Sequence, residues 1–242
     1  MKAFLGRGAL AGAAGGIAAA LFQWIVTEDQ IRVALEIEAA NSTEGGEEMF
    51  TRTTQVVGGM IAAGLYGLFL GVTFGFACAI LWRTLPGRTA FSRSIRLATV
   101  AFVAWVLVPQ LKYPANPPAV GDADTVGQRT ASYVGLLAAS LILAYMAWSL
   151  WRMLGERGDG GAKRFSIVAG GYLAVIALFY VILPANPDPL EVPANLIWHF
   201  RIDSLAGNAL MWLVMGTVFG FLGDYSRRKD GQPLQVDEPV SA

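Results

Sequence analysis

Six long apolar stretches are the feature that most constrains this chain. A helix that crosses a lipid bilayer needs about 20 mostly apolar residues, and five of the six stretches approach or exceed that length. The third is shorter and contains Pro109, so we expect it to be tilted, broken or only partly inserted. The stretches are Phe4–Val26, Val56–Trp82, Ile95–Leu111, Ala131–Trp151, Ser166–Leu183 and Ser204–Leu222. They predict an all-α integral membrane protein with six transmembrane helices.

Glycine spacing predicts how these helices pack. The chain holds 28 glycines in 242 residues, and several recur every fourth residue, as at Gly67, Gly71 and Gly75. Small residues at this spacing let two membrane helices approach closely. The length fits a single bundle over residues 1–225 without a soluble domain, and we expect the polar tail at 226–242 to be disordered.

The basic residues are divided unevenly between the two sides of the predicted membrane. With both termini on one side, here called inner, that side receives thirteen Lys and Arg residues and the other, outer side receives five. The positive-inside rule then predicts cytoplasmic termini. Twelve of the eighteen acidic residues fall on the outer side. Such a vestibule would concentrate cations, although acidic outer loops also follow simply from holding basic residues inside.

Internal similarity divides the chain into three helical hairpins. The hairpins cover about 4–82, 95–151 and 166–222. Pro-Ala-Asn-Pro occurs in two outer loops, at 114–117 and at 184–187. An arginine stands where each second helix is expected to begin: Arg52, Arg129 and Arg201. Because each unit holds two helices, all three keep one orientation, which predicts parallel repeats about an axis along the membrane normal. Chance similarity between apolar runs is the alternative.

The proline-containing loops are the candidate site. Proline fixes φ and lacks an N–H, so it ends the helix and leaves backbone carbonyls of the last turn without partners. Asparagine and carboxylate oxygens lie close by, and such oxygens can line a cation path. The candidate metal ligands are Asn116, Asp122, Asp124, Asn186, Asp188, Glu191, His199, Glu36 and Glu38. The alternative is that these residues cap helices and are merely solvated.

The repeated arginines and the single histidine have structural alternatives too. A cation at a helix N-terminus is disfavoured by the helix dipole. We therefore expect Arg52, Arg129 and Arg201 to form structural ion pairs with outer-loop carboxylates or to bond to loop carbonyls. His199 is the only histidine. Imidazole is a common metal ligand, but a lone histidine at an interface is also an ordinary hydrogen-bonding residue.

Several classes of function are excluded. The membrane interior carries no ionisable side chain away from the helix ends, which argues against a proton relay. The sequence has no phosphate-binding loop, dinucleotide fingerprint, metalloprotease motif or catalytic triad. We therefore expect no catalytic residues, no bound cofactor and no nucleic-acid partner.

Two runs around the loops resemble the signature loops of the CbtA-type predicted cobalt transporter subunit family. They are 112–122 and 184–201, and the Gly- and Ala-rich first helix leading to Glu28 is similar too. The resemblance covers nearly the whole chain. It implies an inner-membrane protein linked to cobalamin synthesis, working with a small single-helix, histidine-bearing partner of the CbtB type.

The chain also departs from that family's pattern. Members are usually described with five membrane segments, against six here, and often carry a His-rich insert in the first outer loop. This chain has Asn41–Glu48 at that place. Metal gathering would then fall to carboxylates or to the partner's histidines.

Together these features predict a membrane subunit for the uptake of a divalent metal ion, with cobalt as the expected ion. The membrane potential or partner proteins would drive transport, since the chain has no ATPase motif. The alternative is a non-transporting scaffold or assembly subunit whose glycine-rich faces bind partner helices. Oligomer formation stays open.

Overall fold

The part of the chain that the structure describes forms six long helices. A computed structural model describes residues 1–41, 50–118, 120–188 and 192–229. The helices are α1 (Lys2–Ala40), α2 (Arg52–Leu81), α3 (Ala90–Lys112), α4 (Val126–Glu156), α5 (Gly161–Ile182) and α6 (Ala194–Lys229). Each is long and apolar enough to span a membrane, and the described residues contain no strand. The prediction of an all-α protein with six membrane-spanning helices is confirmed.

The helices extend beyond the apolar stretches because their polar ends are helical as well. Helix α1 runs through Glu36 and Glu38, which were expected in an outer loop. Helix α6 begins directly after Pro193, whose carbonyl accepts from the N–H groups of Leu196 and Ile197. Arg201 therefore lies inside α6, and the expectation that it opens the helix is wrong. At the other end α6 continues to Lys229, into the predicted tail; residues 230–242 lie outside the described residues.

Helix α3 is longer than its apolar stretch and has an irregular turn. It spans 23 residues, enough to cross a membrane. A π-helical turn at Val103–Leu107 precedes Pro109, whose missing N–H is incompatible with regular α-helical bonding. The expectation of a short span is replaced by a full-length helix with a local break in its hydrogen-bond pattern.

A second π-helical turn, at Gln23–Thr27 of α1, occupies the position in its helix that corresponds to the turn in α3. The two turns are offset by 80 positions, and the same offset aligns identical residues around them. The identical pairs are Phe22 with Phe102, Val26 with Val106, and Gln30 with Gln110. This correspondence supports a relation between the first two hairpins. The superposition of all three as parallel repeats stays a prediction.

The chain divides into two compact units. Unit 1 comprises Met1–Val100 with Ile202–Ala242, and unit 2 comprises Ala101–Arg201. Helices α3 and α6 contribute to both, so the units do not follow the borders of the predicted hairpins.

In unit 1, glycines place the backbones of α1 and α2 in contact. The glycines at this contact are Gly8, Gly12 and Gly16 in α1 and Gly67, Gly71 and Gly75 in α2. A Cβ added to Gly71 would lie 2.5 Å from the Cα of Gly12, closer than real side chains approach. These six glycines therefore already pack against the other helix of the first hairpin. They do not offer a free surface for the partner helices that the scaffold hypothesis requires.

Helices α3 and α6 are also joined closely in unit 1. Asp224 accepts hydrogen bonds from the N–H groups of Ala90 (2.7 Å) and Phe91 (3.2 Å), at the start of α3. The buried Ser94 hydroxyl donates to the Gly216 carbonyl at 2.8 Å. A carboxylate at a helix N-terminus satisfies N–H groups that have no partner in the helix, so Asp224 fixes where α3 begins.

Unit 2 packs around a smaller apolar cluster. Val108, Leu136 and Ile176 are its buried members. Two polar contacts cross the same region: Ser140 hydrogen-bonds to the Tyr172 hydroxyl at 3.1 Å, and the Tyr180 hydroxyl donates to the Val108 carbonyl. Hydroxyl groups that are paired in this way tie α3, α4 and α5 together.

Candidate functional site

Asp188 is the centre of the outer-loop structure in unit 2. Its side chain is 1% exposed, and its Oδ2 lies 3.1 Å from Nε of Arg129. Thr125 donates its hydroxyl to Oδ1 at 2.7 Å, and the Asp122 N–H donates to Oδ2 at 3.2 Å. We call Asp122, Thr125, Arg129 and Asp188 the Asp188 cluster. Both oxygens of its carboxylate are engaged and its charge is compensated, which is the condition for burying a carboxylate.

The surrounding loop backbone is shaped to fit this cluster. Gly121 has φ +113°, and a Cβ there would lie 2.7 Å from Oδ2 of Asp188. Only glycine tolerates both the conformation and the approach. Asp122 and Asn186 accept from N–H groups two residues on, those of Asp124 (2.9 Å) and Asp188 (3.2 Å). Such side-chain turns hold their own loops in place.

Arg201 bonds to the other proline-containing loop. Its Nη2 donates to Oδ1 of Asn116 at 2.8 Å. Among the described residues no carboxylate lies within ion-pair distance of Arg201. The partner of Arg201 is thus a side-chain amide oxygen of the loop, whereas the sequence suggested an outer-loop carboxylate or a loop carbonyl.

Three further bonds link the last turns of α3 and the residue after it to the end of α5 and the loop after it. Lys112 donates from Nζ to the Tyr180 carbonyl at 2.8 Å, and the Tyr113 hydroxyl donates to the Pro184 carbonyl at 2.7 Å. The third is the bond from Tyr180 to Val108. One carbonyl in the last turn of α5, that of Tyr180, thus has a side-chain donor from the protein.

Arg52 forms the corresponding contact in unit 1, with Glu28. Its Nε and Nη2 donate to Oε1 of Glu28 at 2.9 and 2.6 Å, and its Nη1 donates to Oε1 of Gln55 at 2.9 Å. The pair is half-buried, with Arg52 37% and Glu28 26% exposed. Unlike the Asp188 cluster, this ion pair remains accessible.

A small pocket lies beside this ion pair. Its polar groups and its thioether come from Gln23, Glu28, Arg52, Gln55 and Met60. The π-helical turn that begins at Gln23 forms one wall, and such turns are frequent at functional sites. The sequence analysis missed this pocket. The available signal was Gln23 itself, a polar residue at the end of an otherwise apolar run.

The other predicted ligands are more dispersed. Asp122, Asp124 and His199 in unit 2 are exposed, as are Glu36 and Glu38 in unit 1. Glu191 lies outside the described residues. Within the described ranges, no three His, Cys, Asp or Glu side chains are grouped so that they could hold a metal ion.

Six helices that are long and apolar enough to span a membrane define a multi-pass integral membrane protein. The family model described as "Probable cobalt transporter subunit (CbtA)" matches residues 1–224. The chain belongs to this family, which is a family of transport subunits and not of enzymes. No curated protein and no solved structure matches the chain.

Proposed function

We propose that the protein carries a divalent metal ion, cobalt, inward across the cytoplasmic membrane and supplies cobalamin synthesis. Membership of the CbtA family over residues 1–224 carries this proposal. The thirteen-to-five excess of basic residues on the inner side supports cytoplasmic termini. A CbtB-type single-helix partner with histidines would work beside it as a further subunit.

The predicted site residues divide into two roles in this proposal. Asn116, Asn186 and Asp188 hold the outer loops in shape. Asp122, Asp124, Glu191, His199, Glu36 and Glu38 attract the cation and hold it weakly and partly hydrated. Weak binding suits this step because an ion that is transported must also leave.

The pocket beside Glu28 would be the first place where the metal contacts the helices. It offers a carboxylate, two amide oxygens and a thioether, and these donors suit a borderline divalent metal. Arg52 pairs with this carboxylate. A dication carries twice the charge of the guanidinium group and would displace it from Glu28.

The membrane potential is a sufficient driving force for a dication. One elementary charge gains about 2.3 kcal/mol per 100 mV, so two charges gain about 4.6 kcal/mol. Inward movement then requires no ATPase.

Adjacent carboxylates provide the test. Cobalt accumulation would be measured in cells with the Glu28→Gln variant and with Asp29→Asn, whose exposed side chain pairs with the exposed Arg32. Both lose one negative charge at the same membrane depth. We expect Glu28→Gln to reduce accumulation at least tenfold and Asp29→Asn to reduce it less than twofold. Equal accumulation in the two well-expressed variants would exclude the pocket.

A further inference from the structure

The inner end of unit 1 carries a dense group of basic side chains. We call this group the basic rim. Its members are Lys2, Arg7, Arg83, Arg88, Arg93, Arg96, Arg227, Arg228 and Lys229. The only carboxylate at this end among the described residues is Asp224, and it accepts from the N–H groups that open α3. No member of the rim forms an ion pair with a described residue.

Contacts draw three of these arginines around one aromatic cluster. The guanidinium groups of Arg93 and Arg227 lie 5.6 and 5.9 Å from the ring centre of Trp82, and Arg7 lies 5.7 Å from that of Phe4. The Phe4 and Trp82 rings are 5.2 Å apart. Cation–π contacts hold the cations in place but leave their charge uncompensated. The positive charge of the basic rim is therefore available to bind an anion.

Apolar surface borders the rim on the helices that carry it. Ile80 of α2, Val100 of α3, and Phe221 and Tyr225 of α6 are half or more exposed. Arg96 is exposed as well, although it lies within the second turn of the membrane-spanning helix α3. A long basic side chain at such a depth extends along the helix until its charge reaches the headgroup region. Charge and exposed apolar surface together fit a phospholipid better than a free anion.

The inner end of unit 2 provides an internal comparison. It has four basic residues, and two of them are paired: Arg152 with Glu156 at 3.6 Å and Lys163 with Asp159 at 2.6 Å. Arg164 stacks 4.2 Å from the Trp151 ring and donates to the Trp151 carbonyl. A general preference for basic inner ends would not by itself leave half of the basic residues ion-paired in unit 2 and none of them in the basic rim.

From these contacts we infer that the basic rim of unit 1 binds the phosphate groups of an anionic phospholipid, with its acyl chains along the exposed apolar residues. Guanidinium groups bind phosphate through paired hydrogen bonds, and clusters of basic residues between membrane helices suit headgroups with two phosphates. The inference is independent of the transport proposal.

Native mass spectrometry of the purified full chain tests this inference with cardiolipin as the probe. The rim variant combines Arg83→Gln, Arg88→Gln and Arg96→Gln, which have no hydrogen bond to a described residue. The control combines Arg152→Gln, Arg157→Gln and Lys163→Gln and removes the same charge from unit 2. Each basic residue contributes about fivefold to binding, so we expect at least a tenfold weaker cardiolipin affinity for the rim variant and less than threefold for the control.

A third variant separates binding from folding. Arg83→Lys, Arg88→Lys and Arg96→Lys together keep the charge and should keep most of the affinity. Three results would each overturn the inference: equal loss in the rim and control variants, equal affinity for phosphatidylcholine, or displacement of cardiolipin by millimolar inorganic phosphate, which would make the ligand a free anion.

Discussion

Substitution of Gly71 by alanine should weaken the first hairpin. The added Cβ would meet the Gly8 carbonyl and would lie 2.5 Å from the Cα of Gly12, whereas ordinary contact begins at 3.4 Å. Both neighbours are backbone atoms, so neither can rotate away. Helices α1 and α2 would therefore have to separate by at least about 0.9 Å, the difference between 3.4 and 2.5 Å, along their line of closest contact.

The size of the effect follows from two opposing contributions. Replacing glycine by alanine within a helix raises its intrinsic stability by about 1 kcal/mol. Overpacking a close contact lowers stability by about 1–3 kcal/mol. Gly58→Ala isolates the first contribution, because Gly58 lies in the same helix and a Cβ there meets no atom within 4 Å. We expect Gly71→Ala to be about 1–3 kcal/mol less stable than Gly58→Ala.

Unfolding of the purified protein by SDS in mixed micelles measures this difference in free energy. Wild type, Gly58→Ala and Gly71→Ala would be titrated in parallel, with helix content as the signal. A free energy of unfolding for Gly71→Ala equal to or above that of Gly58→Ala would refute the inferred backbone contact between α1 and α2.

Other contacts predict graded effects in the same titration. Asp188→Asn should lower the free energy of unfolding by about 3–5 kcal/mol, because it leaves Arg129 without its buried partner. Asp124→Asn, at an exposed position, should change it by about 0.5 kcal/mol or less. Equal effects of the two substitutions would contradict the Asp188 cluster. Asp224→Ala should cost about 1 kcal/mol because it removes both acceptor oxygens from the start of α3. Glu156→Ala is the control, and an equal loss there would remove the capping role. For topology, a Gly160→Cys variant should react with a membrane-impermeant thiol reagent only after cells are permeabilised; Cys78 is buried, and labelling of intact cells would reverse the proposed orientation.

The number of helices could be predicted from sequence because bilayer thickness fixes the length of an apolar run. The ends of the helices could not. Glu28–Ala40 and Ala194–Arg201 are helical but polar or mixed, so hydropathy gives no signal that separates them from a loop. The π-helical turn in α1 was equally hidden, since its residues have ordinary helical propensities.

The candidate site was predictable in composition but not in its contacts. Proline, asparagine and carboxylate residues marked the outer loops correctly as places of dense polar chemistry. Which atoms bond depends on tertiary structure: Arg201 reaches Asn116 across 85 positions of sequence, and Thr125 reaches Asp188 across 63. The same residue types could line an open cation path or form a closed network, and only the three-dimensional contacts separate these arrangements.

The repeated arginines are bonded differently in the two units, and this difference bears on the proposed metal path. In unit 2 the exchange is reciprocal: Arg129 of the second hairpin bonds to the loop of the third, and Arg201 of the third bonds to the loop of the second. The first hairpin has no Pro-Ala-Asn-Pro loop, and its Arg52 bonds to Glu28 in the same hairpin. A dication that displaced Arg129 would have to open a buried pair and separate two loops at once. Displacing Arg52 requires only one half-exposed pair to open, so we expect the metal to compete at Glu28 before it competes at Asp188.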